Sequence, residues 1–176
     1  NTIGFGQPIR TGFPGEAKGK MLPYPVWGDV GTASASIGYG ISVTALQLAR
    51  AYTVLSGDGR IRPGSLVRQV AAPSNNHSLW QGASVEAPMA EGVPVVRSTV
   101  AAQVRRMLID TVSVEGTARL AAVPGYQVAG KTGTIRRIKD GKYEEGAYQS
   151  AFVGMLPAQN PKLVCLVMID NPKGDY

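Results

Sequence analysis

Between Gln127 and Ile169 the chain offers three runs of strand-forming residues, 127–136, 149–155 and 163–169. They are separated by Lys139-Asp140-Gly141-Lys142 and by Pro157-Ala158-Gln159-Asn160-Pro161, breaks of hairpin length. Runs so joined are expected as sequential neighbours in an antiparallel sheet. With helices upstream, the fold class is α+β.

Two helices are expected ahead of the sheet. Ala45, Leu46, Leu48, Ala49, Tyr52 and Leu55 recur at helical spacing, Thr44 can cap the start, and Gly57-Asp58-Gly59 stops the run. The second opens at Ser98, whose hydroxyl is expected to cap it, and carries Val100, Val104, Met107, Leu108 and Thr111 on one face, with Arg105 and Arg106 toward solvent. Arg62-Pro63-Gly64 reads as a turn, Ser65 to Val70 as a short strand, and residues 71–92 as a polar loop. Residues 1–40 are rich in Gly and Pro, show no sustained period and read as irregular, either a functional loop or a piece whose upstream partner is missing.

At 176 residues the chain is long enough for one domain, and 44% hydrophobic with 17% charged residues is the composition of a folded globular chain. No apolar run approaches membrane-spanning length, and the start has no signal-peptide layout. The net charge of +6 invites a nucleic-acid reading. Yet the tight basic clusters, Arg105-Arg106 and Arg136-Arg137-Ile138-Lys139, are not interleaved with aromatics as a base-stacking platform is, so no nucleic acid is expected. An anionic substrate or a polyanionic wall accounts for the charge as well. The single Cys165, in an apolar run, is expected buried and permits no internal disulfide.

The chemistry turns on Gly125 to Ile135, GYQVAGKTGTI. Gly125, four residues, then Gly130-Lys131-Thr132 is a literal phosphate-loop match, which requires a helix starting at the Lys-Thr so that its positive end faces the anion. The residues that follow, Thr132-Gly133-Thr134-Ile135, are poor helix formers and good strand formers. Pro124 also stands where a central strand should be finishing. In an extended chain Thr132 and Thr134 project to one face and Lys131 to the other or toward the edge, while Gly133 leaves bare backbone for a ligand. Two hydroxyls and an ammonium make a carboxylate site, and a backbone N–H beside them can donate to an oxyanion. A nucleotide-binding module over Gly125 to Thr132 stands as the alternative.

Two further segments decide the comparison. Gly38-Tyr39-Gly40, the Thr44-x-Leu46-Gln47-Leu48-Ala49 helix, Gly59 and Arg62-Pro63 resemble the corresponding elements of class B penicillin-binding proteins, the peptidoglycan D,D-transpeptidases. Gly130-Lys131-Thr132-Gly133-Thr134 resembles their Lys-Thr-Gly motif, and Ala151 to Ala158, Leu163 to Ile169 and Asp170-Asn171-Pro172 are similar to their last sheet strands. The likeness runs over nearly the whole chain and leans toward the septal, division-type members. It implies serine acyl transfer on D-Ala-D-Ala stem peptides, with β-lactams as donor mimics. In that scheme Lys131 supplies positive potential, Thr132 and Thr134 bind the donor carboxylate beside Gly133, and the Thr134 N–H serves the oxyanion. Arg136 assists, and Tyr39 and Tyr143 line the pocket wall. No cofactor or metal is implied.

The resemblance departs at the nucleophile. No Ser in the sequence has a Lys three residues later, so the family's Ser-x-x-Lys is absent. Ser74-Asn75-Asn76 fits the family's Ser-x-Asn but follows the Gly-Tyr-Gly helix instead of preceding it, and the single His77 beside it completes no triad. Residues 1–176 are therefore expected to be the C-terminal portion of one transpeptidase domain, without its first two motifs and its final helix. This chain alone is expected to be inactive, on the extracytoplasmic side of a membrane, with the anchor outside it. The implied partners are the stem peptide, β-lactams, the missing upstream part of the domain and division-machinery membrane proteins. A non-catalytic wall-binding domain is the other reading.

Overall fold

The computed structural model describes residues 2–66, 91–139 and 142–173. The Gly-rich start is less irregular than expected: Tyr24–Val26 form a 3₁₀ turn, and Asp29–Ser36 form a helix, α1. Its residues, DVGTASAS, carry no apolar stripe and none is buried, so the periodicity that announces a helix is missing. Lys20 forms an antiparallel bridge with Ser42, and Trp27 Nε1 donates to the Leu22 carbonyl at 2.8 Å.

Helix α2 spans Ala45–Ser56. Thr44 caps it reciprocally: the Gln47 N–H donates to the Thr44 hydroxyl at 3.1 Å, and the Thr44 N–H donates to Gln47 Oε1 at 2.8 Å. A two-residue strand, β1 (Arg60–Ile61), follows and pairs antiparallel with β2 (Val93–Pro94). Of the strand expected over Ser65 to Val70, Ser65 and Leu66 belong to no strand, and the remainder lies outside the described residues, as does nearly all of the 71–92 loop.

Helix α3 spans Ser98–Asp110, but Arg97 occupies the cap position and no side chain caps it. The expected Ser98 cap is therefore corrected: the chain already turns helical at that residue. Arg105 is corrected as well, because its guanidinium donates to the Leu55 carbonyl at 2.7 Å and ties α3 to the end of α2.

The expected meander forms as β3 (Ala129–Lys139), β4 (Lys142–Leu156) and β5 (Leu163–Asp170), antiparallel in that order. The β3–β4 pairing runs Ala129↔Met155 through Arg136↔Tyr148, with a register shift before Ile138↔Tyr143. Residues 140 and 141 of the separating tetrapeptide lie outside the described residues. One sheet face packs on the helices: Ala129 and Met155, both fully buried, meet Leu108 of α3, with Tyr52 and Leu55 of α2 against the cluster. Cys165 is exposed, not buried, because β5 is the last strand of the described sheet and its second face is uncovered there. Among the described residues no helix is long and apolar enough to cross a membrane.

Candidate active site

Strand β3 continues straight through Lys131, Thr132 and Thr134, and no helix starts at Lys131. Gly125 sits in a turn at φ +81°, and Gly130 lies within the strand. The phosphate-loop alternative requires backbone N–H groups wrapping an anion at a helix start, and the fold places an extended strand there instead.

The alternation expected of that strand is present. Thr132 is registered with Phe152 and then Val167, and Thr134 with Ser150 and then Ile169. These residues share one face and line an open depression of about 550 Å³, with Thr117, Gly133 and Ala151 completing it. Its lining combines the apolar Phe152, Val167 and Ile169 with the hydroxyl-bearing Thr117, Thr132, Thr134 and Ser150. Ser150 Oγ is buried without a hydrogen-bond partner among the described residues. At Gly133, paired with Ala151, nothing approaches the place of a Cβ within 4 Å, so the face of β3 that carries the Lys131 row is open at that residue.

Lys131 belongs to the opposite register row, with Val153 and Leu166. Its side chain is exposed, and the ammonium curls along the strand to donate to the Thr132 carbonyl at 2.7 Å. The positive charge therefore sits at the backbone of Thr132 without being buried, which preserves it for an anion arriving from solvent.

The other sequence-derived residues are placed farther along the hairpin. Arg136 is exposed on the same face of β3 as Thr132 and Thr134 but outside the depression. Tyr39 and Tyr143, distant in sequence, meet edge to face with ring centroids 6.2 Å apart. They meet at the β3–β4 hairpin end, where Tyr143 is registered with Ile138, and neither lines the depression. Arg137 is drawn to Glu144 and Asp170 across the sheet, at 3.8 and 3.5 Å, so part of the basic run is paired within the fold. Ser74 to Asn76 and His77 lie outside the described residues. Sequence reasoning missed Thr117, whose hydroxyl stands 3.3 Å from that of Thr132 across fifteen residues of chain.

Comparison with known proteins agrees with the motifs. The family model described as the penicillin binding protein transpeptidase domain matches residues 1–176. The chain is 35% identical over 170 residues to the probable peptidoglycan D,D-transpeptidase PenA of Neisseria flavescens, covering 97% of this chain and 38% of that protein. It is 38% identical to the probable peptidoglycan D,D-transpeptidase PbpC of Pseudomonas aeruginosa, covering 97% of this chain and 27% of that protein. The chain thus spans well under half the length of these relatives. Among solved structures, the apo transpeptidase domain of penicillin-binding protein 3 from Burkholderia pseudomallei superposes with a TM-score of 0.83 at 38% identity, covering 97% of this chain and 47% of that one. Penicillin-binding protein 3 of Mycobacterium tuberculosis, solved in complex with aztreonam, superposes with a TM-score of 0.83 at 35% identity, covering 97% and 38%.

Proposed function

The chain belongs to the penicillin-binding protein transpeptidase family, and from that membership we propose that it builds the carboxylate-recognising wall of a peptidoglycan D,D-transpeptidase. The observation that carries this reading is the placement of Thr132 and Thr134 two residues apart on one face of β3, where both line the depression. Two hydroxyl donors and the Lys131 ammonium suit the terminal carboxylate of a D-Ala-D-Ala stem peptide, or that of a β-lactam. The β-lactam complexes of the Mycobacterium tuberculosis relative support the same ligand class.

In the proposed reaction a serine oxygen, held by a Ser-x-x-Lys segment absent from this sequence, attacks the penultimate D-Ala carbonyl. The C–N bond to the terminal D-Ala breaks, that residue leaves with the serine's proton on its amine, and an ester remains. An amine of a neighbouring stem peptide then displaces the serine, which regains a proton. Thr132 and Thr134 hold the donor in place for the first step, and the Thr134 N–H stabilises the oxyanion. Arg136 adds positive potential nearby, and Tyr39 with Tyr143 forms an aromatic wall where the donor's remote groups run along the hairpin. The working location is the extracytoplasmic face of the membrane, with the anchor in another part of the protein and division proteins as its partners there.

The test is acylation by a labelled penicillin of a complete domain, this chain continuous with a Ser-x-x-Lys segment. Acylation is expected, and Lys131→Ala is expected to slow it by about a hundredfold or more. An unchanged rate in the variant would remove Lys131 from the site, and peptidoglycan binding without any acylation would assign a non-catalytic wall-binding role.

A further inference from the structure

We infer that Thr117 is a positioning residue for the Thr132 hydroxyl, aiming its proton at the carboxylate that the site binds. The inference deepens the proposed function and rests on it. Thr117 lies in the loop between α3 and β3, and its Oγ1 stands 3.3 Å from Thr132 Oγ1, where either atom can be the donor.

A threonine hydroxyl has one proton and lone pairs for two acceptances. To hold a carboxylate, Thr132 must spend its proton on the anion, because a carboxylate only accepts. The Thr117 contact must then run from Thr117 to Thr132. A Thr132 that already accepts from Thr117 presents its proton outward, so the loop hydroxyl selects the rotamer that binding needs and polarises the bond to the anion.

The loop is built to hold this geometry. The Ala118 N–H donates to the Thr111 carbonyl at 2.8 Å, and the Gly116 N–H to the Ser113 carbonyl at 2.9 Å. A Cβ at Gly116 would stand 2.1 Å from the Thr111 oxygen, so a residue without a side chain lets the loop close. Ala118 is buried in a cluster with Val112 and Val128, against which Phe152 packs. The Thr111 hydroxyl donates to the Gly130 carbonyl, which ties the end of α3 to β3 two residues before Thr132. Thr117 itself is exposed, so removing its hydroxyl subtracts the contact and little packing.

The test compares acylation of the complete domain by a penicillin free acid and by its neutral methyl ester. Thr117→Val is expected to slow the acid about tenfold, the loss of one hydrogen bond in a chain ending on a charge, and the ester by less than about twofold. Thr117→Ser, which keeps the hydroxyl, is expected to stay within about threefold of wild type for both. Added to Thr132→Val, Thr117→Val should bring no further loss. Equal slowing of acid and ester by Thr117→Val, a Thr117→Ser as slow as Thr117→Val, or independent losses in the double variant would each overturn the inference. Should Thr117→Val fail to fold, Thr117→Ala is judged by the same criteria. The two readings separate at Thr132→Val: if it slows acid and ester alike, the carboxylate site itself falls. If it singles out the acid and Thr117→Val does not, the assignment of Thr117 alone falls.

Discussion

A Cβ at Gly130 would stand 2.5 Å from Cζ of Phe152, so the phenyl ring occupies the space a side chain there would need. The same ring comes within 2.8 Å of a Cβ placed at Gly154, the residue registered with Gly130 across the two strands. Facing glycines on β3 and β4 thus form the slot for the ring, and Phe152 is itself the residue paired with Thr132. The glycine that completes the phosphate-loop pattern in the sequence has a packing purpose in the fold.

Gly130→Ala forces the ring or the strand to move, and overpacking of this kind costs about 1–3 kcal/mol. The urea midpoint of the complete domain should fall accordingly. Acylation should slow as well, because any shift of β3 carries Thr132 with it. A midpoint and rate equal to wild type would mean that Phe152 has other room to occupy.

This 176-residue chain by itself should form no covalent adduct with a labelled penicillin, since none of its serines has a lysine three residues later. Intact-mass spectrometry after incubation checks this. A stoichiometric adduct would place an unrecognised nucleophile in the chain.

What was legible in the sequence was whatever depends on local pattern. The meander follows from strand-forming runs and hairpin-length breaks, and α2 from apolar spacing, the Thr44 cap and the glycines after it. Helix α1 was not legible, because small polar residues give no amphipathic signal. The burial of Cys165 was misjudged because alternation along a strand says which residues share a face and not whether anything covers that face. That Thr132 and Thr134 share one face of β3 while Lys131 belongs to the other row was legible through their spacing in a strand. Thr117 was not, since it reaches Thr132 only after the chain folds back through Gly116, a tertiary event with no local signature.

Gln47 should matter more than its place in a capping box suggests. It is 4% exposed, and its Nε2 donates to the carbonyls of Gln7 at 2.7 Å and Lys18 at 3.0 Å, so one side chain holds two points of the N-terminal segment against α2. Gln47→Ala leaves those carbonyls and the Thr44 N–H without their partner. The expected loss is about 2–4 kcal/mol, against about 1 kcal/mol for Thr44→Ala, which removes the cap alone. Urea unfolding of the two variants in the complete domain measures the difference, and equal losses would show that the N-terminal segment does not depend on Gln47.

Acid should weaken the turn after α2. Asp58 receives the Arg62 guanidinium through two bonds, at 3.0 and 2.9 Å. That hydrogen bonding holds the Asp58 carboxyl below its ordinary value, against a smaller opposing effect of desolvation. A carboxyl with a lowered folded-state pKa binds its proton more readily when unfolded. Its contribution is therefore fully present above the unfolded value of about 3.9 and is lost as pH falls through the lower folded value. Asp58→Asn should lower the thermal midpoint modestly at neutral pH, as expected for an exposed pair. The gap from wild type should then close below about pH 4. Glu16, also held low, chiefly by the Thr11 hydroxyl, keeps an acid limb in both proteins, so the readout is their difference. A gap that stays constant from neutral to acid pH would show that the Asp58 charge contributes nothing to the turn.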